Sequence, residues 1–545
     1  MNGTVLRLVL FTFLTGMASL ITLIALLSRD RKSFGPAAAR VIFEGKEEGQ
    51  VEEPASPSTL SALASAAGTH KNSTVLKGGG LSDEELEDRV RADQSSKKPV
   101  LWFLLSAVFW LAFGSILGLI VSLKLTFPDW LVSHAAVTFG RLRPLHLNLV
   151  IYGWASMAGM ASTLWLIPRL AHRPLVQPNF AVAGAVLWNA GVLLGTVSLF
   201  VGVTDGVEWL EYPFGVDLIL VVAGALTGVP ILTTLAKRKA PHLYVSAWYL
   251  GAALLWFPIL FGVANAPRLH FGVEHAVVNW WFAHNVLGLW LTPFGLGIAY
   301  YLIPKVLGRP VHSYGLSMVG FWSLAIFYSQ VGMHHLIGGP VPTWLITVSI
   351  VHSVMMFLPV LAVAINHHST MFGRFSALKH SPVLRFAVVG SMMYTFTSFQ
   401  GSLESLRVVN RLTHFTHFTV AHAHFGAYGF VSFELFAAAY FLLPRLLGRE
   451  WTKPAWISIH FWTTLIGILI YGIGLSIGGI LQGRAMLDAS KPFMTSVLVT
   501  IPWLHARTVG GLLMTIGHLV FAANIVRMVV GERVKTSLPR AEVAS

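Results

Sequence analysis

Cysteine is absent from this 545-residue chain, and Asp, Glu, Lys and Arg together make up only 11% of it. The first absence excludes disulfides and thiolate metal sites, so any metal must rest on histidine or carboxylate. The second excludes an ordinary soluble surface, because globular domains carry about a quarter of their residues charged. What is present instead is 54% hydrophobic residues with 18 Trp and 35 Phe, the composition of a polytopic membrane protein. The net charge of +14 points to membrane topology rather than nucleic acid, because Lys and Arg fall mostly in short loops between apolar runs. Histidine stands out at 22 residues, several deep in apolar runs where an ionisable group is costly and marks function.

The apolar run over residues 5–27 is long enough to span, since about 20 residues cross the hydrocarbon core. Arg29, Arg31 and Lys32 follow it without a clear cleavage site, so residues 1–28 read as a transmembrane anchor rather than a cleaved signal peptide. Residues 29–98 are polar and are expected to be a largely disordered cytoplasmic linker, with one short helix from the Ser82/Glu85 capping-box spacing through Val90. About twelve apolar stretches of spanning length fill residues 99–530, and residues 531–545 form a cytoplasmic tail. Alternate loops carry Arg169 and Arg173, Lys237 to Lys239, Lys305 and Arg309, Arg374 and Lys379, and Arg445 with Arg449; the opposite loops carry Asp205, Glu208, Glu211, Glu274 and Asp488. The basic side is therefore cytoplasmic. The expected fold is an all-α polytopic membrane protein of about twelve core helices plus one extra N-terminal span.

His146, His284, His334, His335, His422 and His424 lie at one level on four spans, their depths differing by about 10 Å at about 1.5 Å per residue. A lone histidine in a span is more often a hydrogen-bonded core residue. Six at one depth point to metal, because neutral imidazole carries no charge into the bilayer. A proton or ion relay would bring carboxylate partners, and the spans contain almost none. In Ala421-His422-Ala423-His424 the two imidazoles stand about 200° apart around a helix, so they cannot share one metal. One helix then stands between two centres and gives an axial ligand to each, which suits two flat macrocycles. His334 and His335 are adjacent and converge only where the backbone departs from regular helix; with His284 they make a three-imidazole site.

The segment Gly140-Arg141-Leu142-Arg143-Pro144-Leu145-His146, the run Trp280-Trp281-Phe282-Ala283-His284-Asn285, the stretch from Tyr328 to Met333-His334-His335, and Ala421-His422-Ala423-His424 resemble the catalytic subunit of C-family haem–copper oxidases, the cbb3 type. The resemblance runs in order and spacing over residues 98–527. It implies a terminal respiratory oxidase of the bacterial inner membrane that reduces O2 to water with electrons from cytochrome c, coupled to proton uptake and pumping. It implies two b-type haems and one copper ion, copper B, and admits a calcium ion near the haem propionates. His146 and His424 would be the axial ligands of the low-spin haem, His422 the proximal ligand of the high-spin haem, and His284, His334 and His335 the copper ligands. Tyr328 matches the catalytic tyrosine that the family cross-links to the copper ligand matching His284. The chain has no C-x-x-C-H motif, so the resemblance implies membrane-anchored mono- and dihaem cytochrome c subunits as partners.

Arg141, Arg143, Arg407 and Arg411 at the outer surface look like haem-propionate anchors, since guanidinium pairs bidentately with carboxylate. His414 and His417 lie near the same edge. Tyr300, Thr292, Ser317 and Tyr394 resemble the family's proton path, although a hydroxyl in a span also often bonds its own helix. The chain departs from the family at Gln400, where a Glu is common, and at His417, where an Asp is common.

Nitric oxide reductases share the fold and the haem ligands. Their cytochrome c-dependent type carries a Glu one turn after the first metal-binding His, where this chain has Gly288, and lacks the tyrosine present here as Tyr328. A secondary transporter is the alternative from a different class; it predicts internal repeats and helices broken at the midplane, and no clear repeat is apparent in the sequence.

Overall fold

The computed structural model describes residues 83–266 and 270–530. The expected N-terminal span, most of the linker and the tail lie outside the described residues. Twelve helical segments of spanning length follow one another: α1 Asp83–Thr126, α2 Phe139–Leu170, α3 Pro178–Val201, α4 Phe214–Ala236, α5 Val245–Ala264, α6 Gly272–Leu307, α7 Tyr314–Leu336, α8 Thr343–Met371, α9 Pro382–Glu404, α10 His417–Leu447, α11 Pro454–Met486 and α12 Phe493–Val530. Among the described residues, eleven are apolar enough to cross a membrane by composition. The exception is α9, whose 23 residues include Ser391, Thr395, Thr397, Gln400 and Ser402, and it stays in the bundle because its neighbours bury it. The chain packs as an all-helical polytopic bundle, α12 closing back against α1.

The start of α1 differs from the expected linker. A short helix ending at Val90 and a disordered stretch to residue 98 were expected, but one helix runs unbroken from Asp83 to Thr126, through Pro99. Tertiary contacts explain it. Asp88 pairs with Lys239 at 3.1 Å, Asp93 forms a two-point ion pair with Arg169, and Ser95 Oγ accepts from Leu175 N–H at 2.8 Å. Residues too polar to fold alone are docked by a charge in the last turn of α2 and another on the α4–α5 loop, which composition cannot reveal.

Three helices form the centre. In α2, α6 and α10, 94%, 89% and 83% of the most apolar window is buried, against 39% to 61% in the other spans that are apolar enough to cross. Each ends alike at the basic side, with Leu166-Ile167-Pro168-Arg169, Leu302-Ile303-Pro304-Lys305 and Leu442-Leu443-Pro444-Arg445. A proline removes the hydrogen bond to the carbonyl four residues earlier. Two of those freed carbonyls are taken by other elements: Tyr244 OH donates to Tyr300 O at 2.8 Å, and Trp451 Nε1–H donates to Tyr440 O at 3.2 Å. The cations in these last turns complement the negative helix ends.

Candidate metal centre

His284, on α6, meets His334 and His335, on the single 3-10 turn Met333–Leu336 that closes α7. One ring nitrogen from each lies within 4.8 Å of the others, and the ring centroids stand 4.5 to 5.3 Å apart. Regular helix would point adjacent side chains about 100° apart; the turn breaks that register. Gly332 makes the turn, with φ +125, and a Cβ there would sit 2.5 Å from Trp280 O. Only glycine lets the chain pass so close to α6 in that conformation.

The rings are held from outside. Ser349 Oγ accepts from Gly332 N–H and His334 N–H, both at 3.1 Å, and lies 3.0 Å from His334 Nδ1; Ser353 Oγ lies 3.2 Å from the same nitrogen. His335 stacks on Trp280 with centroids 4.5 Å apart. His284 Nδ1 is buried without a hydrogen-bond partner. An unpaired imidazole nitrogen on a ring grouped with two more imidazoles in an apolar core is a penalty that a bound cation removes.

Tyr328 ends the regular part of α7 with its ring 5.2 Å from the His284 ring. It lies flat on the backbone of α6 at Gly288, where a Cβ would fall 1.7 Å from Tyr328 Cε1. The space a carboxylate would need one turn after His284 is filled by the phenol.

His422 and His424 leave α10 on different sides, as their spacing predicts. His422 meets α9, with Nδ1 3.3 Å from Thr397 Oγ1 and its ring where a Cβ on Gly401 would sit 2.7 Å away. His424 meets α11, its ring 4.5 Å from Tyr471. His146 of α2 and His424 share one device. The Nδ1–H of His146 donates to Gly114 O, and that of His424 to Val420 O, both at 2.8 Å. Carbonyl oxygen only accepts, so the proton is on Nδ1 and Nε2 carries the lone pair, the tautomer a metal ligand needs; the Nε2 of His424 accepts from Tyr471 OH at 3.2 Å. The ring of His146 packs against Gly118, where a Cβ would be 2.6 Å away.

All four spans' histidines except the 3-10 pair precede a π-helical segment: Leu149–Ala155 after His146, Val286–Leu291 after His284 and Phe425–Ser432 after His424. Such wide turns recur at functional sites. Together with the Pro-Arg or Pro-Lys endings, they make α2, α6 and α10 three copies of one plan. That repeat is present in the sequence as Leu-[Ile/Leu]-Pro-[Arg/Lys], its proline 20 to 22 residues after His146, His284 and His424.

The expected anchors are unevenly placed. Arg143 holds Glu208 through two bonds at 2.7 and 3.3 Å, and Arg141 donates to Phe200 O at 2.9 Å. Arg407 and Arg411 are exposed. Sequence reasoning missed Arg507, a buried guanidinium in α12 that lies over the Tyr471 ring at 5.8 Å, next to His424. An arginine in the first two turns of the apolar helix Ile501–Val530 was the available signal. Beside this edge, Glu211 is buried and accepts from Asn148 at 2.7 Å; burial, with Glu208 nearby, pushes its carboxyl up to about 7.

Of the expected proton path, Tyr300 and Tyr394 carry buried hydroxyls without partners, and Thr292 is buried on α6, between His284 and Tyr300 along the chain. Ser317 donates instead to Tyr314 O of its own helix at 2.6 Å. The structure adds His367 of α8: its ring is 4.3 Å from Tyr300, Nδ1 is 2.7 Å from Ser391 Oγ, and Nε2 has no partner.

Residues 98–513 match the family model described as cytochrome c and quinol oxidase polypeptide I. The chain belongs to this family. It is 34% identical over 450 residues to the cbb3-type cytochrome c oxidase subunit CcoN1 of Stutzerimonas stutzeri, covering 80% of this chain and 95% of that protein. It is 32% identical over 444 residues to cytochrome c oxidase subunit 1 of Rhodobacter capsulatus, covering 77% and 83%. A haem–copper terminal oxidase dimer solved by cryo-electron microscopy shares the fold with a TM-score of 0.67 at 15% identity, over 81% of this chain. This chain is thus a multi-pass membrane oxidoreductase subunit of the haem–copper oxidase family, with resemblance to the cbb3 type.

Proposed function

We propose that the chain is the catalytic subunit of a cytochrome c oxidase that reduces O2 to water, with its basic ends in the bacterial cytoplasm and with proton uptake coupled to pumping. The observation that carries the reading is the three-imidazole cluster with Tyr328 lying on Gly288. In this reading His284, His334 and His335 hold copper, His422 holds the high-spin haem iron, and His146 with His424 hold the low-spin haem iron. The donor set fits: three neutral imidazoles without a carboxylate suit copper, and the Nδ1–H tautomers of His146 and His424 put the lone pair on Nε2 for iron, which in His424 would take the place of the Tyr471 hydroxyl at 3.2 Å. When bound, these groups supply the one-electron carriers and the dioxygen chemistry.

The chain's own residues do the positioning. Ser349 and Ser353 fix the ring plane of His334, and Trp280 fixes that of His335. Tyr328 offers its phenol proton beside His284. Tyr300, His367 and Tyr394 supply buried polar atoms through which a proton can approach from the basic side, aided by internal water. Arg143 and Arg507 supply positive charge at the propionate level, and Glu208 beside Arg143 is a carboxylate suited to calcium. The missing covalent haem motif supports partner cytochrome c subunits as electron donors.

Metal analysis and oxygen uptake with reduced cytochrome c test the reading on the purified complex. Two b haems and one copper per chain, with oxygen consumption exceeding NO consumption, are expected. Non-haem iron in place of copper, with NO as the preferred substrate, would overturn the oxygen assignment.

A further inference from the structure

The seam between α1, α10, α11 and α12 holds a second buried polar cluster that the site above does not use. His518 of α12 engages both ring nitrogens: Nδ1 with Ser115 Oγ of α1 at 2.6 Å, and Nε2 with Tyr428 OH of α10 at 2.7 Å. Nearer the basic end, His460 of α11 meets Tyr440 OH of α10 through Nδ1 at 3.0 Å, and the two imidazole centroids are 6.3 Å apart. His460 Nε2 has no hydrogen-bond partner, and Asn524, which faces Tyr440, makes no bond of good geometry. A histidine that served only to tie helices together would close both ring nitrogens, as His518 does; His460 leaves Nε2 open, which is costly at membrane depth. Open atoms in a cluster of two imidazoles suit internal water and a mobile proton.

The upper end of the cluster is tied to both members of the His146/His424 pair. Gly114, whose carbonyl takes the Nδ1 proton of His146, is the chain neighbour of Ser115. Tyr428 follows His424 by one helical turn on the same face of α10. The other polar groups at the cluster are Thr464 of α11, beside Tyr428, and Asn524 of α12, beside Tyr440. Glu434, the buried acid of α10, turns away toward Gly390 of α9. Among the described residues, no carboxylate or fixed cation bonds to the cluster, so its charge is free to change.

We propose that His518 and His460, bridged by Tyr428 and Tyr440, form a proton-holding station beneath the relay haem. This rests on the reading of His146 and His424 as ligands of that haem. One electron arrives from the cytochrome c donor, one proton enters from the basic side, and an imidazole becomes imidazolium; both leave when the electron moves on. No heavy-atom bond forms or breaks. The physical drive is that an added negative charge in a low-dielectric core favours a compensating proton on the closest open base.

Spectroelectrochemical titration of the low-spin haem in the intact complex, from pH 6 to 9, tests it. A full proton per electron moves the midpoint by about 59 mV per pH unit, the one-electron equivalent of a tenfold change. The wild-type midpoint is expected to fall with pH, and His518→Gln and Tyr428→Phe are each expected to lose at least half of that slope with the haem spectrum retained. Tyr428→Phe keeps the packing and decides the matter if His518→Gln does not assemble. A slope unchanged in Tyr428→Phe, or no slope in the wild type, overturns the station. Absence of a six-coordinate b haem would instead overturn the ligand reading beneath it.

Discussion

Gly288→Ala is the sharpest test of the geometry around Tyr328. An alanine Cβ would lie 1.7 Å from Tyr328 Cε1 and 2.1 Å from both Cδ1 and Cζ. Ordinary carbon contacts need about 3.5 Å, so the ring must retreat by nearly 2 Å. Overpacking of this kind costs about 1–3 kcal/mol, which a large bundle tolerates. The phenol, however, leaves its place beside His284. A misplacement of about 1 Å at a reacting group costs about 100-fold in rate. Oxygen uptake with reduced cytochrome c should therefore fall about 100-fold, while haem spectra and copper content stay at wild-type levels. Combining Gly288→Ala with Tyr328→Phe should add little to the loss from Tyr328→Phe alone, because both act through one phenol. Wild-type turnover in Gly288→Ala, or a full second loss in the double variant, would refute the argument.

Three further outcomes follow from the same structure. His424→Ala should remove the low-spin haem signal and His422→Ala the high-spin one, read from reduced-minus-oxidised spectra, because the two rings leave α10 toward α11 and α9 respectively. Ser349→Ala releases Gly332, His334 N–H and His334 Nδ1 together, and should lower copper affinity about 10- to 100-fold, measured by copper retention during chelator dialysis. Glu211 has a folded value of about 7 against 4.5, so its burial is free of penalty below about 4.5 and stability is lost as pH rises through 7. At about 1.4 kcal/mol per unit this is about 3 kcal/mol, and Glu211→Gln should flatten the fall in melting temperature between pH 5 and 7. An unchanged melting profile would show that the carboxyl ionises freely in place.

Much of the site was legible because its signals are local. Apolar runs located the spans, and α9 was found by its length although its serines and threonines depress its hydropathy. The two-residue spacing of His422 and His424 fixed opposite faces through helical period alone. What stayed hidden depends on contacts between distant segments. Arg143 is expected to face a propionate, and its ion pair with Glu208, 65 residues on, has no signal in the sequence. Arg507 was passed over because only its packing on Tyr471, beside His424, gives it a place in the site. His367, His460 and His518 carry no spacing signal in the sequence, and only their tertiary partners single them out.

By itself, the sequence determined the membrane class, the helical fold, the family resemblance and the outward direction of each histidine, because hydropathy and the 3.6-residue period act within a single segment. The tertiary structure decided which of those histidines meet. It bent α7 at Gly332 so that His334 and His335 converge on His284, laid Tyr328 over Gly288, and extended α1 to Asp83 through ion pairs with Arg169 and Lys239. Those outcomes belong to pairs of segments whose separation along the chain carries no periodic signal, so only packing could set them.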